Sequence, residues 1–233
     1  MLACGGPDTS VEGLEKSMQE NPSPETAVQL ATAYMAYVDA HPDDQAKNSD
    51  YLLKASNVYY DLNNPQEAGT LLQRALANYP DEVGPIIKSS LNDLRMKMFN
   101  DSTGRIDFAK ANQFIHSAET FADNMKTDSE APQLLHKAGE TARSIRDFNK
   151  ALSIYDKIYE QFPNFEKAPQ ALFLKAFTLD NDLKNTEAAR ELYEQFLEKH
   201  PDNEFADDTQ FLLDNLGKDD EEIIQSFQKK QDS

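Results

Sequence analysis

The segment Tyr51-Leu52-Leu53-Lys54-Ala55-Ser56-Asn57-Val58-Tyr59-Tyr60 passes through Asp61-Leu62-Asn63-Asn64 into Pro65-Gln66-Glu67-Ala68-Gly69-Thr70-Leu71-Leu72-Gln73-Arg74-Ala75, and the next proline is Pro80. Leu52, Ala55, Ser56 and Tyr59 recur in steps of three and four, which places them on one face of a helix. Asn63-Asn64-Pro65 is turn chemistry. Behind it Ala68, Leu72 and Ala75 resume the helical period. Two helices joined by so short a turn lie antiparallel. Small side chains at Ser56, Ala68 and Ala75 let the axes cross closely, and Tyr59 and Leu72 fill the space that remains. Pro80 cannot continue the second helix and sends the chain into another unit.

The pattern returns twice. From Pro132, Leu135, Ala138, Gly139 and Ala142 make a first helix, and Ala151, Tyr155, Ile158 and Pro163 match the second. From Pro169, Leu172, Ala176 and Leu179 are followed by Ala189, Tyr193, Phe196 and Pro201. In this third copy Asn181-Asp182-Leu183-Lys184-Asn185 adds a residue to the turn, Lys175 replaces a small apolar residue, and Phe177 crowds the first helix. Between the copies, Ile87, Leu91, Leu94 and Met98 form one apolar stripe, and Phe108, Ala111, Ile115, Ala118 and Met125 form another. Their connection, Asn100 to Gly104, reads as an exposed loop. Upstream, Val11 to Gln19 and Glu25 to Ala40 read as a further pair, closed by His41-Pro42. Downstream, Phe205, Thr209, Leu212, Leu213 and Leu216 end at Gly217, a helix stop. Asp219 to Lys230 reads as a last helix, with Ile223, Ile224 and Phe227 on its apolar side and Asp219-Asp220-Glu221-Glu222 complementing the dipole at its start.

These units resemble tetratricopeptide repeats. The resemblance implies an all-α, right-handed α-solenoid of about six helix-turn-helix pairs. It divides the chain into an N-terminal tether over 1–10, a solenoid over 11–218, and a C-terminal capping helix and tail over 219–233. The junction Tyr159-Glu160-Gln161-Phe162-Pro163, with Ala168-Pro169-Gln170-Ala171-Leu172, is similar to those of Tol-Pal-associated coordinator proteins. So is Tyr193-Glu194-Gln195-Phe196-Leu197-Glu198-Lys199-His200-Pro201, with Phe205-Ala206-Asp207. The lipoprotein subunit of the outer-membrane β-barrel assembly machinery has similar junctions. The resemblance implies a non-catalytic scaffold that holds cell-envelope proteins together.

Composition narrows the alternatives. Twenty-three Lys and Arg stand against 41 Asp and Glu in 233 residues, a formal charge of −18. Such a field repels phosphate backbones, so nucleic acid is an unsuitable partner. A basic surface on a protein or peptide suits it better, with binding that weakens in salt. His41, His116, His136 and His200 are too scattered to suggest a metal, and His41 and His200 each stand at a helix end, where an imidazolium would meet the dipole favourably. Neither a phosphate-cradling glycine loop nor a nucleophile elbow occurs in the sequence. The expected molecule therefore needs no cofactor and catalyses no reaction.

Met1-Leu2-Ala3-Cys4-Gly5-Gly6 places an apolar pair and a small residue before the one cysteine of the sequence. This resembles the end of a bacterial lipoprotein signal peptide, although the charged leader and apolar core of such a signal do not stand in this sequence. Cys4 is thus the lipidation candidate and the expected means of membrane attachment. The expected location is the periplasmic side of the outer membrane, and the alternative is a soluble cytoplasmic adaptor.

In a stack of this kind the first helix of each unit lines the concave side, and partner contacts come from positions beside the core-facing ones. These are Leu53, Asn57 and Tyr60 in the first copy, His136, Glu140 and Arg143 in the second, and Phe173 and Phe177 in the third. Exposed aromatics beside amide and charged groups would suit an extended peptide or a helix. The two phenylalanines could equally pack against the next unit.

Overall fold

A computed structural model describes residues 8–99 and 105–218, together with Glu222. Among these the chain forms eleven α-helices, and no strand beyond the isolated bridge between Phe99 and Ile106. In chain order they are α1 (Val11–Glu20), α2 (Pro24–Ala40), α3 (Gln45–Asp61), α4 (Pro65–Asn78), α5 (Pro80–Lys97), α6 (Phe108–Asn124), α7 (Ala131–Ser144), α8 (Phe148–Gln161), α9 (Ala168–Phe177), α10 (Thr186–Lys199) and α11 (Ala206–Asp214). The all-α expectation holds, and consecutive helices pack on one another from α1 to α6 and again from α8 to α11, the hairpin packing of an α-solenoid. Cys4, the loop from Asn100 to Gly104 and most of the expected last helix lie outside the described residues.

Local chemistry accounts for the helix starts. Ser10, Ser23, Asp44, Asn64, Asp107, Asp147 and Asn185 each offer a side-chain oxygen to the N–H three residues on. Each such cap is worth about 1 kcal/mol. Pro24, Pro65 and Pro80 occupy first turns, where a missing N–H costs nothing. The helix stops of the three repeat copies share one device. Asn63, Arg146 and Lys184 have φ of 56°, 65° and 56°. This left-handed residue lets the next N–H turn back onto the helix. Asn64 donates to the Tyr59 carbonyl and Asp147 to Ala142, each five residues back.

The third copy reaches one residue further, because Asn185 donates to the Leu179 carbonyl. Its extra residue is absorbed by a π-helical stretch, Thr178–Asp182, at the end of α9. The expectation of a longer turn is corrected accordingly: the turn keeps its form, and the widened helical turn takes up the insertion.

The chain divides into two compact units, Met1–Leu134 and Leu135–Ser233, the division falling within α7. In the first unit, Leu52, Leu76, Leu91, Phe114, Ile115 and Phe121 are fully buried. Each contributes about 1.5–3 kcal/mol relative to exposure. The small residues sit where the close crossing requires them. Ala68 and Ala75 have no exposed surface, and buried Ser56 donates to the Ala68 carbonyl at 2.9 Å. The Tyr34 ring lies tilted 4.7 Å from that of Tyr51, and its hydroxyl donates to Glu15 at 2.6 Å, which ties α1, α2 and α3 together.

In the second unit the position of Ser56 is taken by Gly139, where α7 crosses α8. A Cβ there would stand 2.6 Å from the Tyr155 ring and 3.2 Å from Ile154. Around α9 and α10 the core gathers Leu172, Phe173, Ala176, Tyr193 and Phe196. Lys175, out of place in the sequence pattern, reaches α8 and pairs with Asp156 at 2.5 Å.

Candidate partner-binding groove

Leu53, Asn57 and Tyr60 share one face of α3. They line a pocket of about 50 Å³ whose other walls include Ile86, Ser90 and Leu94 of α5 and Gln113 and Ser117 of α6. Asn57 and Ile86 are exposed, and Leu53 and Tyr60 are half-buried. The Ser117 hydroxyl donates to the Tyr60 oxygen at 3.1 Å. Burial raises the Tyr60 hydroxyl above its ordinary pKa, and the Ser117 bond opposes the rise. It therefore stays a neutral donor at any ordinary pH. The pocket has an apolar floor and an amide and hydroxyl rim, the chemistry of a site that takes one apolar side chain and hydrogen-bonds the backbone beside it. Ile86, Ser90, Gln113 and Ser117 were not singled out in the sequence. The helical stripes of α5 and α6 were visible there, but which of their flanks would face α3 was not.

In the second unit the corresponding row is built differently. His136 is only 1% exposed, and neither ring nitrogen has a hydrogen-bond partner. Its Nδ1 lies 3.6 Å from Glu140 Oε2, and the Phe165 ring meets it edge-on at 6.4 Å. His136 holds the Glu140 carboxyl below its ordinary pKa, and partial burial opposes this. Phe173 is buried too, stacked 4.9 Å from Phe205 and edge-on 6.1 Å from Phe196. Of the two readings for Phe173, the structure places it in the core. Phe173 and His136 therefore offer no free surface to a groove ligand.

Glu140, Arg143 and Phe177 keep exposed surface, and the structure brings the last two together. Arg143 lies 4.8 Å over the Phe177 ring, and its Nε donates to Asp182 at 2.6 Å. Asp182 comes from the π-helical stretch, so the inserted residue sets the position of this ion pair. Glu140, Arg143 and Asp182, with Arg146, Phe148 and Tyr155, line a polar hollow of about 500 Å³. The Tyr155 hydroxyl is buried there without a partner. Burial pushes its pKa up, as does Glu140, while Arg143 opposes them.

The histidines at helix ends are structural. His41 stacks on Tyr37 at 4.1 Å, with Nδ1 3.0 Å from the Tyr37 carbonyl. His200 lies 3.2 Å from the Tyr159 hydroxyl through Nε2. Burial, then Lys199, lowers its pKa, so the fold favours the neutral ring and not the dipole-paired imidazolium expected from its place in the sequence.

Comparison with known families agrees with the repeat geometry. A tetratricopeptide repeat model matches residues 50–82 and 170–203. One match covers most of α3 with all of α4, and the other covers most of α9 with all of α10. No curated protein matches the chain. The stacked hairpins and these two repeat segments together support a scaffold for protein–protein interaction.

Proposed function

We propose that this chain is a non-catalytic scaffold of the cell envelope, held at the periplasmic face of the outer membrane by a lipid on Cys4, where it gathers other envelope proteins. The observation that carries the binding part is the pocket at Leu53, Asn57 and Tyr60, which joins an apolar floor to an unblocked polar rim on the repeat's first helix. The envelope part is supported by the Met1 to Gly6 sequence and by the junction motifs at Tyr159 and Tyr193. The −18 charge favours a partner that presents basic residues around its anchor.

The test is affinity capture from envelope extracts with the lipidated full-length chain, beside Ile86→Asp and Tyr60→Ala. A charge at the exposed rim position Ile86 leaves the core intact and blocks an apolar anchor. Captured partners should fall by about tenfold or more, as expected when a central anchor contact is lost. Added salt should weaken the capture. Undiminished capture by both variants refutes the pocket, and intact mass spectrometry that finds Cys4 without acyl groups on the membrane-extracted chain refutes the lipid anchor.

A further inference from the structure

The pocket that α3, α5 and α6 enclose beside Tyr60 has a volume of about 50 Å³. A water-sized group needs about 10–15 Å³, and a dry cavity of about 150 Å³ takes a benzene ring. Space for about three to five such groups admits an isopropyl or isobutyl group and not an aromatic ring. The walls that set this size are firm. Ser56, Leu72, Ile87 and Leu91 are buried, so a deeper floor would require the core to open. The Ser56 hydroxyl is committed to the Ala68 carbonyl at 2.9 Å, which leaves the floor apolar. On one side the Ser117 hydroxyl reaches the Tyr60 oxygen at 3.1 Å and pins α6 to α3, so the width is held as well as the depth.

Charge narrows the occupant further. No residue lining the pocket is charged. A Lys, Arg, Asp or Glu head placed there would lose its water and find no counter-ion, so the anchor itself is neutral and apolar. Around the rim, Asn57, Ser90 and Gln113 make no side-chain hydrogen bond among the described residues. Their amide and hydroxyl groups suit the main chain on either side of an anchor. Beyond the rim the chain carries −18, which favours basic residues flanking the anchor and disfavours a second copy of this chain.

Resting on the reading of this pocket as the partner site, we propose that it selects a branched aliphatic anchor, a Leu, Ile or Val side chain in a segment with basic flanks, and shuts out Phe, Tyr and Trp. The exclusion is one of size, because by hydrophobicity alone a benzyl group would bind about as well as an isobutyl group. Leu53 and Leu94 are the half-buried walls that determine it, since the other leucines and Ile87 belong to the core.

The test uses the full chain and needs no partner. With Cys4→Ser, the substitution Asn57→Cys puts the one thiol of the chain on the rim. Mixed disulfides of cysteamine with a short linker that ends in a methyl, isobutyl or benzyl group compete for it at thiol–disulfide equilibrium, and intact mass spectrometry reads the adducts. The isobutyl adduct should exceed the methyl one on the order of fiftyfold if all three added carbons are buried. It should exceed the benzyl adduct by about tenfold, the penalty of overfilling a firm site. Leu94→Ala or Leu53→Ala, each checked for its helical fold by circular dichroism, cuts back a wall and should bring the benzyl adduct level with the isobutyl one or past it. A parent that captures benzyl as well as isobutyl overturns the selectivity and leaves the pocket standing as a partner site. Capture of neither above methyl removes the partner site and the selectivity together. Benzyl still rejected by both wall variants shows that these walls do not set the choice, and overturns the proposal as well.

Discussion

Gly69 and Gly139 are both helical glycines, yet the structure gives them opposite responses to alanine. Alanine in a helix interior ordinarily gains about 0.5–1 kcal/mol over glycine, because the unfolded chain loses less freedom. At Gly69 the nearest atom to an added Cβ is Thr120 Oγ1 at 3.9 Å, ordinary contact. Gly69→Ala should therefore keep the whole gain. At Gly139 the same methyl would meet Tyr155 Cε1 at 2.6 Å, Cδ1 at 3.1 Å and Ile154 Cγ2 at 3.2 Å. Neither neighbour is a loose side-chain end: Tyr155 is 1% exposed and Ile154 fully buried. Forcing a methyl into packing of that kind costs about 1–3 kcal/mol. Set against the same propensity gain, Gly139→Ala should lose about 1 kcal/mol net, with a fall in melting temperature of about 2–4 °C. Chemical denaturation with both far-ultraviolet circular dichroism and tyrosine fluorescence measures the two variants side by side. A Gly139→Ala chain as stable as the parent, beside a stabilised Gly69→Ala chain, would falsify the close crossing of α7 on α8.

Three further outcomes are expected. Phe173→Ala should cost about 3–5 kcal/mol, the usual range for emptying an aromatic core site; a loss under 1 kcal/mol in urea titration would return Phe173 to the surface. Lys184→Gly should stabilise by about 0.5–1 kcal/mol, since a left-handed residue with a Cβ is strained, and an unchanged denaturation midpoint would refute that. His200 has a folded pKa below its unfolded one. Below the unfolded value the unfolded chain takes up the proton more readily, so this stability is present above that pKa and lost as pH falls through the folded one. The parent should lose more stability between neutral and mildly acidic pH than His200→Gln does, and matching pH profiles for the two would count against the assignment.

Helix positions were legible in the sequence because they rest on short-range rules. A three-to-four step of apolar residues, an Asn or Asp at the N-cap and a proline in the first turn act within one or two turns of chain, and α1 to α11 follow them closely. The interior proline of α5, Pro85, shows where such rules stop: the helix continues through it, held by the burial of Val83, Ile87 and Leu91. The groove row shows the same limit. Leu53, His136 and Phe173 hold equivalent positions in the three copies, yet Leu53 lines an open pocket while His136 and Phe173 are shut away.

Repeat grammar and close-crossing small residues are thus written locally, in periods the chain carries wherever it goes. Exposure along the groove depends on which neighbouring side chains arrive from other helices, such as Ile86 and Ser117 beside Tyr60 or Phe205 over Phe173. So does the place of the Arg143–Asp182 pair, set by a widened π turn that periodicity alone reads as a longer loop. Burial is a property of several segments packed at once, and for that reason only the tertiary structure could decide it.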